Sequence, residues 1–301
     1  MPRTLIIGTR GSKLALRQVE LVLKGLRRER PDATFDVREI KTEGDRSSAP
    51  LSEIGGFGVF TKALEDALLA GTIDVAVHSL KDLPPDVPAG LTLAAIPERG
   101  DPRDALVTRD GRALAELPPG ARIGTGSGRR AVQLKALRPD IETEEIRGNV
   151  DTRIRKVDSG EYDGVVLAIA GLERLGLSAR ASHVCSVDEM VPAVGQAALA
   201  VETRTDDAEA IGVVRAIDDA DTRVAVMAER AFLRRLGAGC RLPVGAYARL
   251  DGGEVVLDVI VAGDGNALTR RRARVPLACA DERAIEIADE VLASVGGVTA
   301  P

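Results

Sequence analysis

Residues 5–12 of the chain read LIIGTRGS, which predicts a strand that passes through a tight turn into a helix. Leu5–Thr9 has the apolar run of a buried strand, and Ser12 is a residue type that commonly caps a helix N-terminus. The apolar residues of the following segment recur at steps of three and four: Ala15, Val19, Val22 and Leu26. Because short apolar runs alternate with such helical segments along the chain, the predicted fold class is α/β.

A second stretch, IGTGSG at residues 123–128, repeats the first one. Ala121–Thr125 is typical of a strand, the following Gly-Ser-Gly sequence of a turn, and the segment from Arg129 of a helix. Backbone amides at a helix N-terminus have no partner within the helix, and they can bind an anion. The repeat therefore predicts two related domains, each with an anion-binding turn.

The remaining apolar runs predict further elements. Three more strands are predicted at Asp74–Leu80, Leu91–Ile96 and Asp163–Leu172. The segment Val191–Glu202 is predicted to cross between the domains. The sequence then predicts an amphipathic helix from Thr222, a strand with alternating apolar residues at Glu254–Val261 and a last helix at Ala284–Ala293. Together these elements predict a small α+β domain.

Composition narrows the class of function. The net charge is −5 and aromatic residues make up 2% of the chain, so we expect no nucleic-acid partner and no base stacking. No apolar run approaches a membrane span and no signal sequence precedes Leu5, so we expect no membrane partner and a cytoplasmic location. The two histidines and three scattered cysteines fit no metal site or disulfide framework.

Residues 122–156 are rich in basic side chains, with nine basic residues against five acidic ones. The basic residues are Arg122, Arg129, Arg130, Lys135, Arg138, Arg147, Arg153, Arg155 and Lys156. Arginine suits paired contacts with carboxylates or phosphates, and Arg129, Arg130 and Arg147 adjoin glycine turns that let a ligand approach closely. A solvated charged face is the alternative interpretation.

Two further residues are candidates for chemistry. Asp82 follows a predicted strand and precedes two prolines, so its carboxylate would lie where open α/β sheets bind ligands. The ordinary interpretation is a turn residue, just as His78 would ordinarily be a core or hinge histidine. Cys240 lies in a glycine-rich loop beside Arg241, whose charge favours the thiolate, although a lone cysteine is more often inert.

Motifs from about residue 4 to residue 295 resemble those of porphobilinogen deaminases in order and approximate spacing. They are TRGS (9–12), HSLKD (78–82), RR (129–130), RGNVDTR (147–153), AIAGLERLG (168–176), PAVGQ (192–196) and GC (239–240). Because these motifs are spread over the whole chain, the resemblance covers nearly all of it.

The resemblance implies an architecture of three domains. Two are doubly wound domains like the halves of a periplasmic binding protein, and the third is a small C-terminal α+β domain that carries Cys240. The implied boundaries are 1–98 with 198–216, then 102–192, then 220–301.

The resemblance also implies a transferase of tetrapyrrole and haem biosynthesis. In the family, a dipyrromethane cofactor is attached through a thioether to the cysteine that corresponds to Cys240. Four porphobilinogen molecules are added head to tail with release of ammonia, and hydroxymethylbilane is released by hydrolysis. We expect a monomer that binds the small molecule porphobilinogen and can pass its product to uroporphyrinogen-III synthase.

The resemblance assigns a role to individual residues. Asp82 would accept hydrogen bonds from pyrrole N–H groups and stabilise the cation that forms when ammonia leaves. Residues that would bind the cofactor or substrate are Arg10, Ser12, Lys81, Thr125, Ser127, Arg129, Arg130, Arg147, Arg153, Arg174 and Gln196. A lid at Leu51–Phe60 would include Gly55, Gly56, Phe57, Gly58 and Phe60.

The chain departs from the family pattern in two places. Gly126 and Gly128 interrupt the usual Gly-Thr-Ser-Ser turn, and Glu53 and Phe57 stand where many relatives carry lysines. Two other functions stay open from the residues alone. One is a two-lobed receptor for a small polycarboxylate, and the other is a phosphate-handling enzyme that uses the two helix N-termini.

Overall fold

The computed structural model describes residues 3–41, 61–237, 242–263 and 267–295. The chain forms two compact units, and each unit contains two separate stretches of sequence. The first unit consists of Met1–Gly100 and Ala197–Val226, and the second of Asp101–Gln196 and Met227–Pro301. The three domain boundaries expected from the sequence stay a prediction.

The described residues form thirteen strands and eight α-helices. The strands are β1 (Thr4–Thr9), β2 (Thr34–Glu39), β3 (Val75–Ser79), β4 (Leu91–Ala95), β5 (Asp104–Thr108), β6 (Arg122–Gly124), β7 (Glu142–Glu144), β8 (Gly164–Ala168), β9 (His183–Val184), β10 (Leu199–Arg204), β11 (Val244–Asp251), β12 (Glu254–Ala262) and β13 (Leu268–Pro276). The helices are α1 (Lys13–Glu29), α2 (Lys62–Leu69), α3 (Gly128–Leu137), α4 (Val150–Asp158), α5 (Ile169–Arg174), α6 (Ala208–Val214), α7 (Ala220–Leu236) and α8 (Ala280–Ser294).

The first unit is built on a five-stranded sheet in the order β2-β1-β3-β10-β4. β1 is parallel to both β2 and β3, whereas β10 is antiparallel to β3 and β4. The apolar face of α1 packs on this sheet through Val19, Val22 and Leu26, which lie in one buried cluster with Leu5 and Ile7. The predicted strand, turn and helix at the start of the chain are therefore confirmed.

The second unit contains a sheet of the same design, in the order β7-β6-β8-β5-β9. β6 is parallel to β7 and β8, and β5 is antiparallel to β8 and β9. Each sheet also has an equivalent hydrogen bond. Asp74 accepts from the backbone N of Ile6 in the first unit, and Asp163 accepts from the backbone N of Arg122 in the second, each at 2.8 Å. The internal repeat predicted from the sequence is thus a repeat of topology.

One predicted strand was wrong in its second half. The run Asp163–Leu172 is a strand only at Gly164–Ala168, and the chain continues as α5 from Ile169. Both halves are buried and apolar, and for such a run hydrophobic periodicity cannot separate a strand from a buried helix.

The C-terminal part of the second unit contains an antiparallel sheet in the order β11-β12-β13, with α8 against it. The central strand β12 is buried from Val255 to Ala262. This confirms the small α+β region, and with the two larger sheets it confirms the α/β fold class. In the part of the chain that the structure describes, no helix is both long and apolar enough to cross a membrane.

Candidate active site

The first unit carries a pocket at the carboxyl edge of its sheet. β1 and β3 are parallel neighbours, so the segments that follow them meet at this edge, where α/β sheets bind ligands. The polar residues that line the pocket are Arg10, Ser12, Gln18, Thr61, His78, Ser79 and Asp82. The predicted site residues Arg10, Ser12 and Asp82 are therefore brought together, although they are up to 72 positions apart (82 − 10) in the sequence.

Asp82 ends a short 3-10 helix, Leu80–Asp82, that directly follows β3. Leu80 is buried and anchors this turn, and its carbonyl accepts a 3.2 Å hydrogen bond from the backbone N of Leu83. Among the described residues, none donates a hydrogen bond to the Asp82 carboxylate or pairs with it. The carboxylate is therefore held in the pocket with its oxygens available to a donor on a ligand. Lys81 lies next to it and is also half-buried.

Ser12 caps α1, as predicted, by accepting a 3.2 Å hydrogen bond from the backbone N of Ala15. Gln18 is buried one turn further along and donates from Nε2 to Oγ of Ser79 at 2.7 Å. Gln18 was not identified from the sequence. It looks like any polar residue of an amphipathic helix until the helix is packed on the sheet.

Three buried titratable groups lie together in the first unit, and one of them, His78, also lines the pocket. Nε2 of His78 is 3.1 Å from Oε2 of Glu202, and both side chains are almost fully buried. Burial raises the pKa of Glu65, and the neighbouring negative charge of Glu202 adds to this. The expectation of a core position for His78 agrees with its burial, whereas Glu65 and Glu202 were not singled out.

The matching turn in the second unit joins β6 to α3. Ser127 caps α3 and accepts a 3.4 Å hydrogen bond from the backbone N of Arg130. The backbone N of Ser127 in turn donates to Oγ1 of Thr125 at 3.2 Å, and Thr125 is buried. The two predicted polar residues thus shape the turn that places Arg129 and Arg130 in the first turn of the helix.

Arg129 and Arg130 are buried, and both bind the carboxylate of Asp104. Nη1 of Arg129 lies 2.7 Å from Oδ2, and Nη2 of Arg130 lies 2.7 Å from Oδ1. The amide of Gln196 donates to the same Oδ1 at 3.0 Å. Three of the predicted residues therefore converge on a carboxylate that the sequence did not indicate, since Asp104 is a single acidic residue at the start of an apolar strand.

Arg147 and Arg153 lie on either side of the N-terminus of α4. Asn149 caps this helix, and Gly148 precedes it with φ of +108°, where a Cβ atom would lie 2.7 Å from the Thr152 side chain. Arg147 pairs with Glu145 at 2.9 Å. In the described ranges no carboxylate lies within ion-pair distance of Arg153. Burial, with the positive charges of Arg130 and Arg147, lowers the pKa of Arg153 to about 10.

The remaining predicted residues divide into two groups. Arg174 ends α5 and is half-buried, and burial lowers its pKa. Cys240 and the lid residues Gly55, Gly56, Phe57, Gly58 and Phe60 lie outside the described residues, as does the departure Glu53. Within the described residues, no group of three or more His, Cys, Asp or Glu side chains could hold a metal ion.

Two sequence models of one family match the chain. The porphobilinogen deaminase dipyromethane cofactor binding domain matches residues 5–212, and the C-terminal domain of the same enzyme matches residues 223–293. The chain belongs to the porphobilinogen deaminase family. The porphobilinogen deaminase of Roseiflexus sp. (strain RS-1) is 49% identical over 299 residues, which cover 97% of each chain. That of Desulforudis audaxviator (strain MP104C) is 50% identical over 272 residues, covering 90% of this chain and 88% of the relative.

Among solved structures, the crystal structure of a methionine binding protein is similar to this porphobilinogen deaminase family member over 73% of its chain and 92% of the other chain. Its TM-score is 0.45 and its sequence identity is 13%.

The site residues of the second unit fit the dipyrromethane cofactor that characterises porphobilinogen deaminases. Nε of Arg129 is buried and, among the described residues, has no hydrogen-bond acceptor. The half-buried Arg153 adds a positive charge that the described carboxylates do not offset. A buried donor and an excess of buried positive charge are stabilised by an anion. Dipyrromethane carries acetate and propionate groups on both pyrroles, and it would supply such anions.

Proposed function

We propose that the chain polymerises four porphobilinogen molecules head to tail on a dipyrromethane primer that Cys240 holds as a thioether. Ammonia leaves at each addition, and water finally releases hydroxymethylbilane. The observation that carries the proposal is the cluster of Arg129, Arg130 and Arg153, which has more buried positive charge than its described carboxylates neutralise.

The arginines would bind the acetate and propionate groups of the primer and of the growing chain. A carboxylate that leaves water loses its hydration, and a guanidinium replaces it with two directed N–H donors. Arg147, Arg153 and Arg174 are half-buried, so they can contact a ligand without a change in the core. Arg10, with the cap residue Ser12, would do the same in the pocket of the first unit.

Asp82 would act on the incoming substrate. When the C–N bond of porphobilinogen breaks, ammonia takes the electron pair of that bond and the pyrrole becomes a cation. A carboxylate with no partner among the described residues can accept a hydrogen bond from the pyrrole N–H and stabilise that cation as it forms. When bound, the primer would supply the pyrrole carbon that bonds to the methylene carbon of the substrate, and the proton that this pyrrole carbon loses would leave with the ammonia as ammonium.

Three finer points belong to the same proposal. The protein would work in the cytoplasm and as a monomer, and it would pass its linear product to uroporphyrinogen-III synthase. A sedimentation experiment at working concentration tests the oligomeric state, and a second enzyme added to the reaction tests transfer by the yield of cyclised product.

Intact mass spectrometry of the purified protein tests the central proposal. The wild-type mass should exceed the sequence mass by two linked pyrrole units, and Cys240→Ser should remove this increment. On incubation with porphobilinogen, heavier adducts separated by single pyrrole units should appear. A wild-type mass that equals the sequence mass and stays unchanged with porphobilinogen contradicts the proposal, and it would favour a carboxylate receptor instead.

A further inference from the structure

Asp104 receives four hydrogen bonds although it is not one of the expected site residues. It is the first residue of β5, where its backbone is paired with Ala168 at the carboxyl end of β8, and it is fully buried. Oδ2 accepts from Nη1 of Arg129 at 2.7 Å. Oδ1 accepts from Nε and Nη2 of Arg130 at 2.9 and 2.7 Å and from Nε2 of Gln196 at 3.0 Å.

The backbone holds each guanidinium from a second direction. Nη1 of Arg129 also donates to the carbonyl oxygen of Val191 at 2.6 Å, and Nη1 of Arg130 donates to that of Val166 at 2.9 Å. Neutral carbonyls do not cancel charge, so the two arginines and Asp104 together carry a net charge of +1 (2 − 1). Burial lowers the pKa of Arg129 and the charge of Arg130 adds to this, although Asp104 opposes both effects.

The order of events makes this arrangement important. Arg129 and Arg130 are brought together on Asp104 only by the fold, so they would become buried before a primer carboxylate can lie beside them. Two adjacent buried cations without a counter-ion would be strongly destabilising. One carboxylate within the fold offsets one of the two charges and leaves the other, which still favours an anionic ligand.

We propose that Asp104 is a positioning residue that acts as the resident counter-ion of Arg129 and Arg130. It fixes both guanidiniums and lets the unprimed protein fold, and it leaves one positive charge for the primer carboxylates. The inference rests on the proposed function. Asp104 and the primer carboxylates then act on the same two cations, so their contributions to stability are coupled.

A double-mutant cycle measures this coupling. Asp104→Asn keeps the shape of the side chain and removes its charge, and Cys240→Ser removes the primer. Thermal melting of the four proteins gives the loss in Tm caused by Asp104→Asn with and without primer, and intact masses verify the primed state. We expect the loss to be at least about twofold larger without primer, because the primer carboxylates can replace the missing counter-ion. A purely structural role of Asp104 would give equal losses in both backgrounds.

Asp101→Asn is the matched control. Asp101 lies three positions away in the same unit and pairs with Arg103 at 2.6 Å, near the surface. Its loss in Tm should be the same with and without primer. Equal losses for Asp104→Asn would overturn the inference, and a larger loss of Tm in the Cys240→Ser background than in the primed protein would support it.

A charge-matched variant covers the case in which neither Asp104→Asn protein folds. The double variant Asp104→Asn/Arg129→Gln restores the net charge of +1. It should therefore fold with and without primer, and its loss in Tm should no longer depend on the primer. If this variant stays unfolded while Arg129→Gln alone folds, the inference is wrong. If the wild-type protein carries no primer, both the proposed function and this inference are wrong. If the wild type is primed but Asp104→Asn loses the same Tm with and without primer, only this inference is wrong.

Discussion

Nε of Arg153 donates a 2.8 Å hydrogen bond to the carbonyl oxygen of Gly148, which ties the side chain to the turn that precedes α4. The guanidinium is thereby kept near the charges of Arg130 and Arg147 instead of turning into solvent. Burial and these two neighbouring cations hold its pKa in the folded protein at about 10, below the ordinary value of arginine, because they disfavour the charged form.

Arg153→Gln should therefore stabilise the unprimed protein. Because the folded pKa lies below the unfolded one, the penalty is fully present below about pH 10 and is relieved as the pH rises through the folded pKa toward the ordinary value of arginine, and it is on the order of 3 kcal/mol. In the Cys240→Ser background, the variant should raise the Tm by roughly 2–4 °C for each kcal/mol recovered. In the primed protein the variant should slow elongation, because the guanidinium that would bind a carboxylate of the growing chain is lost.

Thermal melting and timed intact masses measure these two effects. Arg155→Gln is the matched control, because Arg155 lies on the same helix but is exposed, and it should change neither the Tm nor elongation appreciably. A lower Tm for Arg153→Gln in the unprimed protein would show that Arg153 is a structural residue.

Asp82→Asn should preserve the fold and the primer but reduce turnover by about two to four orders of magnitude. This is the range expected when a preorganised charge that stabilises a developing ion is removed. Porphobilinogen consumption and the Tm can be measured on the same sample. Asp110→Asn, at an exposed turn paired with Arg112, is the control and should have normal turnover. Near-normal turnover of Asp82→Asn would remove Asp82 from the mechanism.

Cys185 should not react with alkylating reagents in the native protein. Burial, with the negative charges of Asp104 and Glu189, raises the pKa of its thiol to about 12, so at pH 8 almost none of it is the reactive thiolate. Peptide mapping after iodoacetamide treatment should find Cys185 modified only when the protein is denatured first. Cys185→Ser and Cys279→Ser should both keep the primer, and loss of the primer in either would question the assignment to Cys240.

Glu65→Gln should increase stability at neutral pH. The pKa of Glu65 is raised in the folded state by burial, so the ionised form destabilises the fold above that pKa, and the penalty disappears as the pH falls below the unfolded value. The gain should be on the order of 1 kcal/mol at pH 7 and should vanish near pH 4. Urea unfolding at several pH values measures it. Asp66→Asn, at the exposed neighbouring position, should show no such pH dependence, and a gain for Glu65→Gln that persists at pH 4 would contradict the explanation.

The sequence by itself determined the elements that depend on neighbours along the chain. Ser12 and Ser127 cap their helices through residues three positions away, and the steps of three and four in α1 select the face that packs on the sheet. Such hydrogen bonds and periodicities act within one or two turns of helix, so a short stretch of sequence contains all of their information. The roles of Asp82 and the arginines at glycine turns came from the motifs that resemble the family, and they stay predictions.

Only the tertiary structure decided which charges meet. Asp104 reaches Arg129 across 25 positions and Gln196 across 92, and His78 reaches Glu202 across 124. These pairs exist because β5 and β10 run antiparallel to their neighbours in a fixed register, which places the first residue of β5 at the edge where α3 begins. No local pattern marks such a residue, since register and strand order depend on how the whole chain buries its apolar surface.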